Sequence, residues 1–328
     1  MRSLYQHLML FRITWKRVQN ILNIAGSLEK KQILKGNQMM KLYDIHLRDP
    51  YILVDNGTYY LYGTRPDDLR DKHQGFDVYT SKNLEDWSAP IPVFEKPDSF
   101  WADRDFWAPE VHKYKGKYYM FASFYAPNRR RATHILVSDA PDHAFQPLTA
   151  EPVTPPEWEC LDGTLYISKK GEPYIVFCHE WLQVSDGKIV AMKLTDDLRQ
   201  PANKPRVLFN ASSPAWATGD PNGNYITDGP YLYRNSDTEL YMLWSTQCGA
   251  GDSCRYVEAC AVSDNGEIDG NWQHCEHFIF DRDGGHGMLF HDLSDQLHFI
   301  MHAPNRDPLE RPVIFHVQIK NGCLSIAD

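Results

Sequence analysis

TYYLYGT (58–64), KYYMFAS (117–123), EPYIVFC (172–178), ELYMLWS (239–245) and QLHFIMH (296–302) are five short apolar runs spread evenly along the chain. Rich in aromatic and branched side chains, each reads as one β-strand. Immediately upstream stand RDPYILV (48–54), APEVHKY (108–114), LDGTLYI (161–167), TDGPYLY (227–233) and GHGMLFH (285–291), which read as partner strands. Polar or glycine-bearing turns such as VDNG, YKG and SKKG join the two strands of a pair. A unit that returns every 50 to 70 residues marks a repeat architecture. The expectation is an all-β, five-bladed β-propeller.

In such a ring the first strand of every blade lines the central axis, so equivalent positions on five first strands meet at one mouth of the channel. The polar residues there are Asp49, Glu110, Asp162, Asp228 and His286. Singly, each has an ordinary explanation, because Asp beside Gly or Pro is common in turns. Five at corresponding places predict a polar, acidic mouth where an apolar core would otherwise stand.

The chain has 328 residues, 9 Trp, 18 Tyr and a net charge of −9. The repeats leave no room for a second domain, so residues 41–328 read as the propeller and catalytic domain. Residues 1–40 carry seven Lys or Arg against the single acid Glu29 and read as a basic N-terminal extension, helical or disordered. An upstream start codon before Met39 and Met40 and an amphipathic surface helix are the two accounts of it. The acidic balance argues against nucleic acid and anionic membrane partners. No run approaches a membrane span, and the apolar run LMLF is too short for an export signal. A cytoplasmic location is expected, with oligomeric state unassigned. Seven cysteines, an odd number at scattered spacing, are expected to be reduced thiols rather than a disulfide framework.

RDPYI, WAPEV, LDGTLY, DGPYLYR and GHGMLF together resemble the signature blocks of family 43 glycoside hydrolases, over about residues 44–317. The resemblance implies a five-bladed propeller that hydrolyses α-L-arabinofuranosyl or β-D-xylosyl linkages of plant-derived oligosaccharides with inversion. Inversion needs one carboxylate to activate water and one carboxylic acid to protonate the leaving oxygen, roughly 6.5–9.5 Å apart. By position in the family pattern, Asp49 matches the general base and Asp162 the acid-orienting residue. The family usually places Glu before Gly-Pro, whereas this chain has Asp228, one methylene shorter. Asp228 is therefore the expected acid and Glu180, in FCHEW, the alternative. Trp107, Glu110, His179, Glu180 and His286 are expected to bind substrate, with Phe106, Trp101 and Trp181 as further aromatic walls. Arg48, Arg104 and Arg311 are the arginines available to neutralise the acidic cluster. His286 matches a histidine near the channel axis that could hold a calcium or sodium ion (Ca2+ or Na+), although one histidine is a poor fit to a hard cation. No cofactor is required. The competing reading, from the departure at Asp228, is a catalytically inactive carbohydrate-binding propeller.

Overall fold

A computed structural model describes residues 39–66, 74–220, 222–249, 254–320 and 322–327. The predicted basic extension therefore lies almost wholly outside the described residues. Five antiparallel sheets follow one another along the chain. Their innermost strands are Arg48–Asp55, Arg104–Tyr114, Cys160–Ile167, Asp228–Arg234 and Gly285–His291. The five apolar runs form the second strands, Thr58–Thr64, Lys117–Tyr125, Pro173–His179, Leu240–Cys248 and Leu297–Ala303. The five-bladed propeller expected from the repeats is the observed fold.

The local chemistry of the hairpins is visible. Asn56 and Gly57 (φ +47° and +67°), and likewise Lys115 and Gly116 (φ +46° and +82°), occupy two-residue turns between the paired ends Asp55/Thr58 and Tyr114/Lys117. Left-handed dihedrals at both central positions match the twist of the flanking strands. The second strands are covered on both faces by neighbouring blades, so they are buried almost end to end rather than on alternate residues. Burial on both faces explains why these strands read as continuous apolar runs.

Blade one departs from the four-strand pattern. Its third strand, Gly75–Ser81, pairs with both Asp86–Trp87 and Ile91–Glu95, and Met40–Lys41 adds to Asp86–Trp87. The first sheet thus begins at Met40, one residue before the expected domain boundary. Side-chain contacts close the ring between blades five and one: Arg48 Nη1 lies 2.9 Å from Glu310 Oε1, and the Leu293 N–H donates to the Tyr59 hydroxyl at 2.8 Å. One expectation is corrected: Cys275 and Cys323 are bonded, with sulfurs 2.10 Å apart. The bond joins the outer edge of blade four, just after Trp272–His274, to the last strand of blade five, Cys323–Ile326. Among the described residues no helix is long and apolar enough to cross a membrane.

Candidate active site

Every innermost strand carries a β-bulge near its start. Register skips by one residue between Arg48 and Tyr51, Leu161 and Thr164, Asp228 and Tyr231, and Gly285 and Met288. Blade two has two such skips, on either side of Trp107. In each bulge one residue takes a left-handed backbone: Asp49 (φ +49°), Ala108 (+47°), Asp162 (+56°), Gly229 (+51°) and His286 (+54°). A proline or glycine follows every one of them. Bulges re-aim side chains, and a left-handed dihedral outside glycine persists only where surrounding contacts impose it.

These equivalences refine the expected ring. Asp49, Asp162 and His286 occupy the same position in their blades, but Ala108 and Gly229 fill it in blades two and four. Asp228 stands one residue earlier and Glu110 two residues later. Glu110 is buried and paired with His112, Oε2 to Nε2 3.1 Å, outside the cavity lining.

A cavity of about 340 Å³ opens at the mouth, lined by Asp49, Asp162, Asp228, Glu180 and His286, by Arg48, Thr64 and Tyr256, and by Trp107, Leu161 and Trp181. His286 Nδ1 lies 3.3 Å from Asp49 Oδ1 and 3.8 Å from Asp162 Oδ2. Burial alone would lower the imidazole pKa, but Asp49, Asp162, Glu110 and Asp228 outweigh it and raise it. His286 thus bridges two carboxyl groups that favour its charged form.

Asp49 is held from every side. Its Oδ2 accepts the Thr64 hydroxyl at 2.5 Å, Arg48 Nε is 4.0 Å from Oδ1, and its N–H donates to His302 Nδ1 at 3.2 Å. His302 Nε2 faces Asn305 Oδ1 at 3.0 Å, and burial pushes its pKa down to about 4. The ring is therefore neutral with its proton on Nε2, leaving Nδ1 free to accept. Burial would raise the Asp49 pKa, yet His286, Arg48 and the Thr64 hydroxyl together bring it well below the carboxylate range. Asp49 is ionised at any working pH.

Asp228 is biased the other way. Burial, then the charges of Asp162 and Glu180, push its carboxyl up to about 7 against the opposing His286 and Tyr256. Its Oδ2 accepts the Tyr256 hydroxyl at 3.2 Å. The following N–H, of Gly229, donates to Asp162 Oδ2 at 2.9 Å, which ties the backbone beside Asp228 to Asp162. Burial, with Asp49 adding to it, raises Asp162 against His286 and this N–H. Gly229 also allows a close approach: a Cβ there would stand 2.9 Å from the His286 ring.

Glu180 lines the cavity but is engaged. Arg131 Nη1 meets its Oε1 at 2.7 Å and Oε2 at 2.5 Å, while Nη2 meets Asp105 Oδ2 at 2.7 Å. The same guanidinium lies over the Trp107 ring at 4.6 Å, so it also braces one aromatic wall. Trp181 is the second wall. Phe106 is buried among the core phenylalanines, and Trp101 donates its indole N–H to His134 Nδ1 at 3.0 Å; neither lines the cavity. His179 lies flat on Trp158, ring centres 4.2 Å apart, with Nε2 2.9 Å from Gln183 Oε1, also outside the lining.

Of the three arginines available to neutralise the acids, Arg48 is the one that faces them. Arg104 is exposed near Asp103, and Arg311 contacts the Tyr43 carbonyl and His46. Among the described residues no group of three or more His, Cys, Asp or Glu is arranged to hold a metal ion. With His286 already engaged by two carboxylates, the residues present do not fit a channel cation. Thr64, Tyr256 and Arg131 are neighbours of the cavity acids Asp49, Asp228 and Glu180 that sequence reading missed. Thr64 ends the first quoted run; nothing local marks the other two.

The family described as Glycosyl hydrolases family 43 matches residues 43–321. The extracellular exo-α-(1→5)-L-arabinofuranosidase ArbA of Cellvibrio japonicus is 25% identical over 66% of this chain and 63% of its own length. Extracellular endo-α-(1→5)-L-arabinanase 1 of Bacillus subtilis is 23% identical over 48% of this chain and 52% of its own. The chain thus spans less than two thirds of the length of these curated relatives. Among solved structures, an endo-arabinase from Bacteroides thetaiotaomicron superposes with a TM-score of 0.78 at 38% identity, covering 86% of this chain and 98% of that one. A thermostable family-43 glycoside hydrolase shares the fold, with a TM-score of 0.73 at 22% identity over 89% and 94%.

Proposed function

This chain belongs to glycosyl hydrolases family 43, and from that premise we propose that it hydrolyses α-L-arabinofuranosyl linkages by an inverting two-carboxylate mechanism. α-(1→5)-Linked arabino-oligosaccharides are the first substrates to try, because the curated relatives are named for that linkage. β-D-Xylosyl linkages are the second. Asp49 is the general base: ionised and fixed at the cavity wall, it takes a proton from water as the oxygen attacks the anomeric carbon. Asp228 is the general acid: protonated below about pH 7, it gives its proton to the departing glycosidic oxygen. Asp162 orients that acid through the Gly229 N–H and raises its pKa by charge repulsion. Trp107 and Trp181 offer flat faces to the sugar ring.

One observation carries this reading. A single cavity holds two carboxyls whose surroundings drive their pKa values in opposite directions, which is how acid and base roles are divided at neutral pH. Glu180 is disfavoured as the acid because Arg131 Nη1 occupies both of its oxygens, even though burial raises its carboxyl against that guanidinium.

A panel of 4-nitrophenyl glycosides, assayed with wild type, Asp49→Ala, Asp228→Asn and Glu180→Gln, tests the assignment. Loss of turnover in the first two variants, with activity retained in the third, is expected. Turnover lost in Glu180→Gln but kept in Asp228→Asn reverses the acid assignment. Sugar binding without turnover in wild type sinks the hydrolase reading in favour of a binding propeller. Proton NMR of the first product should show the inverted anomer.

The cytoplasm stays our proposed location against a competing reading. The curated relatives are named as extracellular, and the Cys275–Cys323 bond suits an oxidising compartment. Alkylation of denatured, unreduced protein decides between them: seven modified cysteines for a reduced chain, five for the cross-linked one.

A further inference from the structure

The five bulges are latched from the neighbouring blade. On each second strand one residue pairs with the position just before the bulge: Thr64 with Arg48, Ser123 with Trp107, Cys178 with Leu161, Ser245 with Asp228 and His302 with Gly285. Four of these five cross the seam and accept the bulge N–H of the next blade. Thr64 Oγ1 takes it from Ala108 at 2.7 Å, Ser123 Oγ from Asp162 at 2.8 Å, Ser245 Oγ from His286 at 2.6 Å, and His302 Nδ1 from Asp49 at 3.2 Å.

A hydroxyl that accepts the latch bond still has one proton to give. Ser245 gives it to Glu258, away from the cavity lining. Ser123 points it at Asp162 Oδ1 over 3.4 Å, a weak contact. Thr64 gives it to Asp49 Oδ2 at 2.5 Å, and Thr64 itself lines the cavity. Its oxygen is pinned by a backbone N–H of blade two, its Cβ by blade one, so the remaining proton has one direction to point. Short hydroxyl-to-carboxylate bonds are among the stronger ones in proteins.

We propose that Thr64 is a positioning residue for the reaction, fixing the Asp49 carboxylate in its attacking geometry by relaying the seam between blades one and two. The proposal rests on the reading of Asp49 as general base. Thr64→Val keeps the side-chain shape but removes both bonds; Thr64→Ser keeps the hydroxyl.

The experiment measures kcat and KM on 4-nitrophenyl α-L-arabinofuranoside, with thermal melts to confirm folding. Thr64→Val should lower kcat by roughly ten- to a hundred-fold, the scale of a misplaced catalytic group, with KM changed less than about three-fold. Thr64→Ser should stay within about three-fold of wild type. If Thr64→Val does not fold, Thr64→Ala takes its place. An unchanged kcat in the deletion variant overturns the proposal, as does a Thr64→Ser variant no better than Thr64→Val. Wild type without turnover overturns the parent reading and this one with it, whereas an active wild type with an indifferent Thr64 overturns this one alone.

Discussion

Asp49 and Asp228 are the same side chain in opposite states, and the difference lies in who touches them. Asp49 sees His286, Arg48 and a hydroxyl donor; for Asp228, burial and the charges of Asp162 and Glu180 outweigh the pull of His286 and one phenol. Tyr256 is the readable handle on this contrast, because its hydroxyl favours the charged form of Asp228 and so holds the carboxyl lower than it would otherwise sit. Tyr256→Phe should therefore move the basic limb of kcat/KM, set near pH 7 by Asp228, to higher pH. A limb that stays put or moves down would remove Asp228 from the role of acid. Both carboxylates were legible from local sequence, since Asp-Pro and Asp-Gly-Pro stand out in otherwise apolar strands. Tyr256 and Arg131 were not: Tyr256 lies near the start of the third strand of blade four and Arg131 just before that of blade two, and each meets an acid of the cavity, Asp228 or Glu180, only because the sheets twist into a ring.

At the scale of the element, the bulge is the repeated device, and blade three is where the repetition breaks. Cys178 occupies the latch position there, and a thiol is a weak acceptor. The Gly229 N–H that it would otherwise take goes instead to Asp162 Oδ2. Cys178→Ser supplies the hydroxyl that blades two and four use, and should draw part of that N–H away from Asp162. Cys178→Ala supplies no acceptor and should leave it in place. The expected outcome is a several-fold fall in kcat for the serine variant and near wild-type kcat for the alanine variant. Equal values in the two would mean that position 178 only fills space. Gly229 tests the same bulge from the other side. Alanine there meets the His286 ring and a left-handed backbone costing roughly 1–2 kcal/mol. Alanine at Gly116 carries a similar dihedral with nothing within 4 Å. Gly229→Ala should lose activity, Gly116→Ala only stability, as read by turnover and melting temperature. The second strands were legible because burial on both faces leaves an unbroken apolar signature. The bulges were not, since the aligned feature is a left-handed residue followed by Pro or Gly, and it is occupied by Asp, Ala, Asp, Gly and His. A search for matching polar residues therefore placed Glu110 and Asp228 out of register.

The whole ring must keep five seams dry around a polar axis, and one buried carboxyl shows what that costs. Blade order and number were readable from spacing alone; the pairing of Cys275 with Cys323 was not, because 48 residues separate them and the total is odd. Nor was the burial of Glu258, which sits in a strand of ordinary composition. Glu258 is fully buried, hydrogen-bonded through Oε2 to Ser245 and to the Gly287 N–H at 3.3 Å, and among the described residues its Oε1 has no partner. Burial, opposed by Ser245 and His286, pushes its carboxyl from 4.5 up to about 8. Because the folded pKa is the higher one, the native state retains a proton that the unfolded chain loses above pH 4.5. Stability from this group is thus full below that pH and drains away as pH rises towards 8. Glu258→Gln carries no such proton. Its melting temperature should match wild type near pH 4.5 and exceed it by a margin that widens up to about pH 8. A margin that is constant or narrows with rising pH would show that Glu258 is charged in the folded protein.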